Sequence, residues 1–215
     1  MRGVFVTGTD TGVGKTVISA CLIRGLGAEY WKPAQTGLAQ EPGDTQSVTE
    51  LAGIGLDRVH APRFALQAAL SPEAAATREG ISLALEDFDL PVSPRPIVVE
   101  GAGGVLVPIA PGFMMADLMV RLGLPVVLVA RGSLGTINHT LLSIEALRAR
   151  ALAVAGVVIC GQDEDGNGAA IERHGRVPLL AVLPWLTPLT PETLAKAALE
   201  AEFFGPFFQK RTTCL

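Results

Sequence analysis

The chain has 215 residues, 49% of them hydrophobic and 18% charged, with 17 basic against 21 acidic side chains and a formal net charge of −4. That size suits one compact α/β domain, and the acidic balance argues against a nucleic-acid partner held by phosphate neutralisation. Mean hydropathy is +0.41, yet apolar runs such as residues 125–130 and 154–160 are far shorter than the ~20 residues of a spanning helix, so no membrane partner is expected. The chain opens at once on a strand-like run, so no signal peptide is expected. Cys21, Cys160 and Cys214 have neither disulfide nor zinc spacing, so a cytoplasmic location is expected.

The first strand-like run, residues 3–7, ends in Thr7-Gly8-Thr9-Asp10-Thr11-Gly12-Val13-Gly14-Lys15-Thr16, and a helical pattern follows over 16–26. Strand, glycine-rich loop and helix N-terminus together form a phosphate cradle. Backbone N–H groups wrap the β-phosphate, Lys15 reaches the β and γ oxygens, and the Thr16 hydroxyl ligates Mg²⁺. The usual loop has glycine five residues before its second glycine; here that place is Thr9, with Gly8 one residue earlier. The plain alternative, glycines that only turn the chain into a helix, accounts poorly for Gly-Lys-Thr at such a junction.

A second run, residues 30–32, leads into Lys32-Pro33-Ala34-Gln35-Thr36-Gly37. Proline denies the chain a helix, which puts Lys32 at the ligand edge of the sheet unless it snorkels to water. Asp44 precedes a helical pattern over 46–52 and reads as its N-cap, or as a Mg²⁺ ligand if its loop folds over a nucleotide. A further helical pattern covers 72–78. The run at 96–100 then ends in Glu100-Gly101-Ala102-Gly103-Gly104. An acid there is the expected second contributor to a metal site, and the glycines let backbone approach a ligand. A capping role for Glu100 is disfavoured because no helical pattern follows it.

Helical patterns at 114–122, 136–150 and 191–203 accompany strands at 125–130, 154–160 and 179–183. The alternation implies a P-loop NTPase-type α/β fold, a mostly parallel sheet with helices on both faces. A single domain is expected over residues 1–205, with 206–215 a C-terminal tail that need not be ordered.

Five segments occur in order: residues 8–16, the Lys32 segment, Val99-Glu100-Gly101-Ala102-Gly103-Gly104, Leu134-Gly135-Thr136-Ile137-Asn138-His139, and Leu183-Pro184-Trp185-Leu186. Together they closely resemble dethiobiotin synthetase, whose P-loop carries the same shifted glycine. The resemblance implies an ATP- and Mg²⁺-dependent carboligase joining CO₂ (or bicarbonate) to 7,8-diaminopelargonic acid, and a homodimer with active sites at its interface. It implies that Lys32, Lys15 and Thr11 are catalytic. Gly12, Val13, Gly14, Lys15, Thr16, Val17, Asp44, Glu100, Gly101, Ala102, Gly103, Gln162, Pro184, Trp185 and Leu186 would surround the nucleotide. Thr16, Asp44 and Glu100 would hold the metal, and Lys32, Thr36, Gly135 and Asn138 the substrate, the last two across the interface.

Relatives often end the fifth strand in Asn-Asp, whereas this chain has Cys160-Gly161-Gln162-Asp163, with Gln162 as the stand-in for reading adenine. Glu192 is either a ribose-contacting acid or a first-turn helix charge. His139, at a helix start, is expected at an interface or in a capping role, and His60 and His174 have no supporting context. The substrate-side segment Ala69-Leu70-Ser71-Pro72 is retained, while residues 81–94 are short and proline-rich for a helix. Two rivals stay open: an amidoligase domain of the cobyrinic-acid type, which normally carries a glutaminase domain for which no room is expected here, and a nucleotide switch resembling partition and cell-division ATPases. Those switches carry an extra lysine early in the P-loop, and positions 9–13 contain none.

Overall fold

A computed structural model describes residues 2–163 and 165–200. In chain order the strands are β1 (Gly3–Gly8), β2 (Glu29–Trp31), β3 (Ala34–Gln35), β4 (Val59–His60), β5 (Phe64–Ala65), β6 (Ile97–Gly104), β7 (Pro108–Ala110), β8 (Phe113–Met114), β9 (Val126–Arg131), β10 (Val154–Cys160) and β11 (Leu179–Leu183). The helices are α1 (Lys15–Leu26), α2 (Asp44–Ala52), α3 (Pro72–Glu79), α4 (Met115–Leu122), α5 (Thr136–Arg148), α6 (Asn167–Gly175) and α7 (Pro191–Glu200).

Seven strands form one sheet in the order β11-β10-β9-β1-β6-β2-β4, every neighbouring pair parallel. Parallel strands buried on both faces are apolar throughout, and alternate residues serve opposite cores. In β1, Phe5 joins the core beneath α3, α4, α5 and α6, while Val4 and Val6 join the one beneath α1, α2 and α7. Strand order reverses at β1, whose neighbours are β6 on one side and β9 on the other. Ligands of open α/β sheets bind beyond the carboxyl ends of the strands at such a reversal, and the Gly-rich loop leaves β1 there.

Several expectations are corrected. Helix α6 is not among the expected helices: it is short, glycines occupy 168 and 175, and Ile171 is its one large buried residue. The strand expected to end at Glu100 continues to Gly104, which pairs with Gly8 of β1. Residues 81–94 form only a 3₁₀ turn at Leu85–Asp87, as their prolines imply. Asp44 is the first residue of α2 and Gly43 is its cap, so the capping role expected of Asp44 is not the one it takes. Residues 201–203 of the last expected helix, the tail at 206–215 and Cys214 lie outside the described residues. No described helix is long and apolar enough to cross a membrane.

Candidate active site

The P-loop closes tightly on β1. A Cβ at Gly8 would meet Val13 Cγ2 at 2.7 Å and the Asp10 carbonyl at 2.8 Å, which is why the displaced glycine is a glycine. Gly12 and Gly14 take left-handed φ values of 72° and 97°, a region that costs a side chain strain, and a Cβ at Gly14 would also run into Cys160 Sγ at the end of β10. Lys15 folds back so that its Nζ donates to the Asp10 carbonyl at 2.9 Å. Burial, and after it the neighbouring Lys32 charge, brings the Lys15 ammonium down to a pKa of about 8.

Beside the loop lies a cavity of about 740 Å³, walled by Thr11, Gly12 and residues 14–17 of the P-loop and by Lys32, Gln35, Thr36, Asp44, Glu100, Ala102, Gly103 and the 69–72 segment. At its floor, Lys32 Nζ donates to Asp44 Oδ2 at 2.7 Å, Glu100 Oε1 at 3.2 Å and the Gly101 carbonyl at 3.0 Å. The Lys32 side chain is 3% exposed and that of Glu100 1%. Burial alone would lower the Lys32 pKa, but the Glu100 and Asp44 charges outweigh it and raise it above the ordinary lysine value. Burial likewise opposes ionisation of Asp44, and Lys32 overcomes this to hold its pKa below the usual aspartate range. Lys32 and Asp44 are therefore both ionised at neutral pH.

Thr16 Oγ1 lies 3.0 Å from Asp44 Oδ1 and 3.1 Å from Glu100 Oε1. Two carboxylates and a hydroxyl converging on one point form a hard, oxygen-only donor set. Among the described residues no group of three or more His, Cys, Asp or Glu could hold a metal, and Mg²⁺ needs none, because it keeps several waters and takes one or two carboxylates beside phosphate oxygens. The residues present thus fit Mg²⁺.

Three contributors escaped the sequence. Tyr30, the only tyrosine, donates its hydroxyl to Glu100 Oε2 at 3.1 Å, fixing the carboxylate plane from β2. Gln35 accepts the Asp44 N–H through its side-chain oxygen at 2.9 Å, which orients the start of α2 so that Asp44 points at Lys32 and Thr16. Arg131, the last residue of β9, reaches the P-loop at Asp10 with 3.6 Å between Nη2 and Oδ2. Only the Gln35 position had a signal, its place in the Lys32 segment.

A second cavity, of about 450 Å³, opens on the β9 to β11 side of the loop, where Thr11, Gly12 and Val13 face Ser133, Gln162 and Trp185. Gly161 has φ 114°, and a Cβ there would touch the Trp185 indole Nε1 at 3.0 Å. The missing side chain at 161 is thus space taken by Trp185. Pro184 and Leu186 flank the tryptophan without lining either cavity. Glu192 lies in the first turn of α7, its pKa lowered by its own backbone N–H and by the Thr190 hydroxyl, which favours the helix-charge reading. Gly135 and Asn138 are exposed at the head of α5 and line neither cavity of their own chain. His60 pairs with Glu29 at 2.7 Å, on the outer pair of strands.

A family model described as an AAA domain matches residues 2–193. The ATP-dependent dethiobiotin synthetase BioD of Paramagnetospirillum magneticum is 51% identical to this chain over 195 residues, 91% of this chain and 94% of that protein. The biotin biosynthesis bifunctional protein BioCD of Bordetella avium is 57% identical over 86% of this chain, which spans only 40% of that longer protein. Among solved structures, the cell division ATPase MinD of Pyrococcus furiosus superposes with a TM-score of 0.54 at 17% identity, covering 96% of this chain and 100% of that one. At that identity the likeness is one of fold.

Proposed function

Because this chain belongs to the ATP-dependent dethiobiotin synthetase family, we propose that the 740 Å³ cavity is where 7,8-diaminopelargonic acid meets CO₂ and the γ-phosphoryl group of ATP. The chain is an ATP- and Mg²⁺-dependent ligase of biotin biosynthesis, releasing ADP and phosphate as dethiobiotin forms. One amine of the diamine adds to CO₂ and loses a proton, giving a carbamate. A carbamate oxygen takes the γ-phosphoryl group from ATP, releasing ADP, and the second amine then attacks the carbamoyl carbon, loses a proton and expels phosphate. Such chemistry needs positioning and charge neutralisation more than proton transfer by a side chain.

The observation that carries this reading is the Lys32 ammonium, buried within the P-loop cavity with all three N–H donors engaged. To hold a carbamate it must release one acceptor, and the neutral Gly101 carbonyl is the cheapest to leave. Lys32 then sets a positive charge against the carbamate oxygens. Lys15 leaves the Asp10 carbonyl for the phosphates, and Thr11, on the wall of both cavities, lies between phosphate and substrate. Thr36 offers a hydroxyl to the amines or the carbamate. Thr16, Asp44 and Glu100 would hold Mg²⁺, which when bound offsets charge on the phosphate oxygens.

Gly12, Val13, Gly14 and Val17 of the loop, Gly101, Ala102 and Gly103 of β6, and Gln162, Pro184, Trp185 and Leu186 complete the nucleotide's surroundings. Gly135 and Asn138 would meet the tail of a diamine bound in the partner of a homodimer. We place the chain in the cytoplasm and read residues 1–205 as one domain. A partition-type switch shares the fold alone, and residues 9–13 lack the early lysine of that class.

The test is turnover with diaminopelargonate, bicarbonate and Mg²⁺ across ATP, CTP and GTP. Dethiobiotin should form, fastest with ATP. Nucleotide hydrolysis that neither needs the diamine nor yields dethiobiotin would overturn the proposal.

A further inference from the structure

Arg131 has no place in the chemistry above, yet it stands at the ligand edge beside the P-loop. Its backbone is pinned, because Gly132 packs so closely under the Gln162 carbonyl that a Cβ would collide with it, and the Gly132 carbonyl accepts from Asn167 Nδ2 at 3.0 Å. Its guanidinium is less committed. Nη2 lies 3.6 Å from Asp10 Oδ2 and 3.3 Å from His139 Nδ1, while Nε is shut off from water with no hydrogen-bond partner. Arginine is always a donor, so in this contact His139 Nδ1 is the acceptor.

A buried guanidinium N–H without an acceptor is costly, and its usual explanation is a ligand or water not present. The side chain is 38% exposed and lines the 450 Å³ cavity next to Thr11, Gly12 and Val13. Asp10 raises the same question from the other side, since it sets a carboxylate within a loop built to hold phosphates. Its Oδ1 accepts the Thr11 N–H at 2.7 Å, leaving Oδ2 toward Arg131.

We propose that Arg131 is a nucleotide-binding residue, donating to a phosphate oxygen on the side of the P-loop away from Lys32, with Asp10 and His139 steering its guanidinium. The inference rests on the nucleotide reading of the P-loop. Because this side of the loop faces away from the metal-binding carboxylates, the contact is to a phosphate shared by ATP and ADP. Guanidinium, a planar fork, suits two phosphate oxygens better than an ammonium does.

The test is calorimetric titration of ATP and of ADP into the wild-type protein, R131Q and R131K, without diamine or bicarbonate. Failure of the carboligase reading would leave these titrations untouched, so the two are separable. R131Q should weaken both nucleotides by about tenfold or more, by similar factors. R131K, keeping the charge without the fork, should lose less, and a melting curve of each variant, unchanged from wild type without nucleotide, separates a lost contact from a lost fold. Wild-type affinity in the variants overturns the proposal, as does a loss confined to ATP. A raised KM for the diamine with nucleotide affinity unchanged also overturns it, and assigns the guanidinium to the substrate carboxylate.

Discussion

On the β6 and β2 side of the P-loop, the charged groups are tied to one another inside the protein: Lys32 to Asp44 and Glu100, Glu100 to Tyr30, and both carboxylates to Thr16. On the β9 to β11 side the polar groups are loosely held. Trp185 is 64% exposed, Gln162 and Asp165 are also at the surface, and Arg131 keeps one buried donor idle. The contrast follows the chemistry proposed for each side. Phosphoryl transfer depends on charges fixed before the substrate arrives, so the reacting side is preorganised at the cost of burying ions. Holding a nucleoside requires no such precision, and there the ligand itself can complete the contacts.

The largest expected effect comes from emptying the tight side. Lys32→Ala should lower kcat by about 10²- to 10³-fold or more while nucleotide affinity stays within a few-fold of wild type. Parallel loss of nucleotide affinity would place Lys32 on the phosphates instead. The same variant leaves two carboxylates facing each other without a cation, so it should be less stable by about 3 kcal/mol, and Mg²⁺ should restore part of its Tm. A melting curve indifferent to Mg²⁺ would break the assignment of Asp44 and Glu100 to the metal.

A smaller effect tests Lys15, which lies between the two sides. Its folded-state pKa of about 8 lies below the ordinary lysine value of 10.5, so the free protein loses this charge as pH rises through about 8. Phosphate restores the charge, so binding takes up a proton between those two values. Nucleotide affinity should therefore be flat below about pH 8 and fall above it by up to about tenfold per unit. The Lys32 and Asp44 charges, raised and lowered respectively, do not titrate in that window. Calorimetry in buffers of different ionisation heat reads the proton directly, and the absence of uptake at pH 9 would show that Lys15 is already charged before the nucleotide arrives.

The same division separates what could be read in the chain from what could not. Lys15, Thr16 and Lys32 follow strands in sequence and Glu100 closes the apolar stretch of β6, positions that local pattern can find. Asp44 was found for its residue type, but its capping role depended on which way α2 begins, and the Gln35 side chain decides that from a different strand. Tyr30 and Arg131 act through neighbours 70 and 121 residues away, Glu100 and Asp10, contacts made only when the sheet orders itself. The glycine at 161, in the segment where relatives often carry asparagine, has no local reason, and only the fold reveals that Trp185 occupies the space of its side chain.

Trp185 gives the smallest of these effects and bears most directly on the loose side. An indole largely open to solvent at the rim of a cavity offers a face on which any base can stack, without reading its edge. Trp185→Ala should weaken nucleotide binding by about three- to tenfold, leave kcat at saturating nucleotide near wild type, and do so by similar factors for ATP, CTP and GTP. Gly161→Ala approaches the same platform from beneath: its Cβ would press on the indole at 3.0 Å from a backbone φ of 114° that disfavours any side chain, so it should reproduce the loss with Trp185 still present. If Trp185→Ala costs ATP far more than CTP, the tryptophan selects adenine, and the second side is as specific as the first.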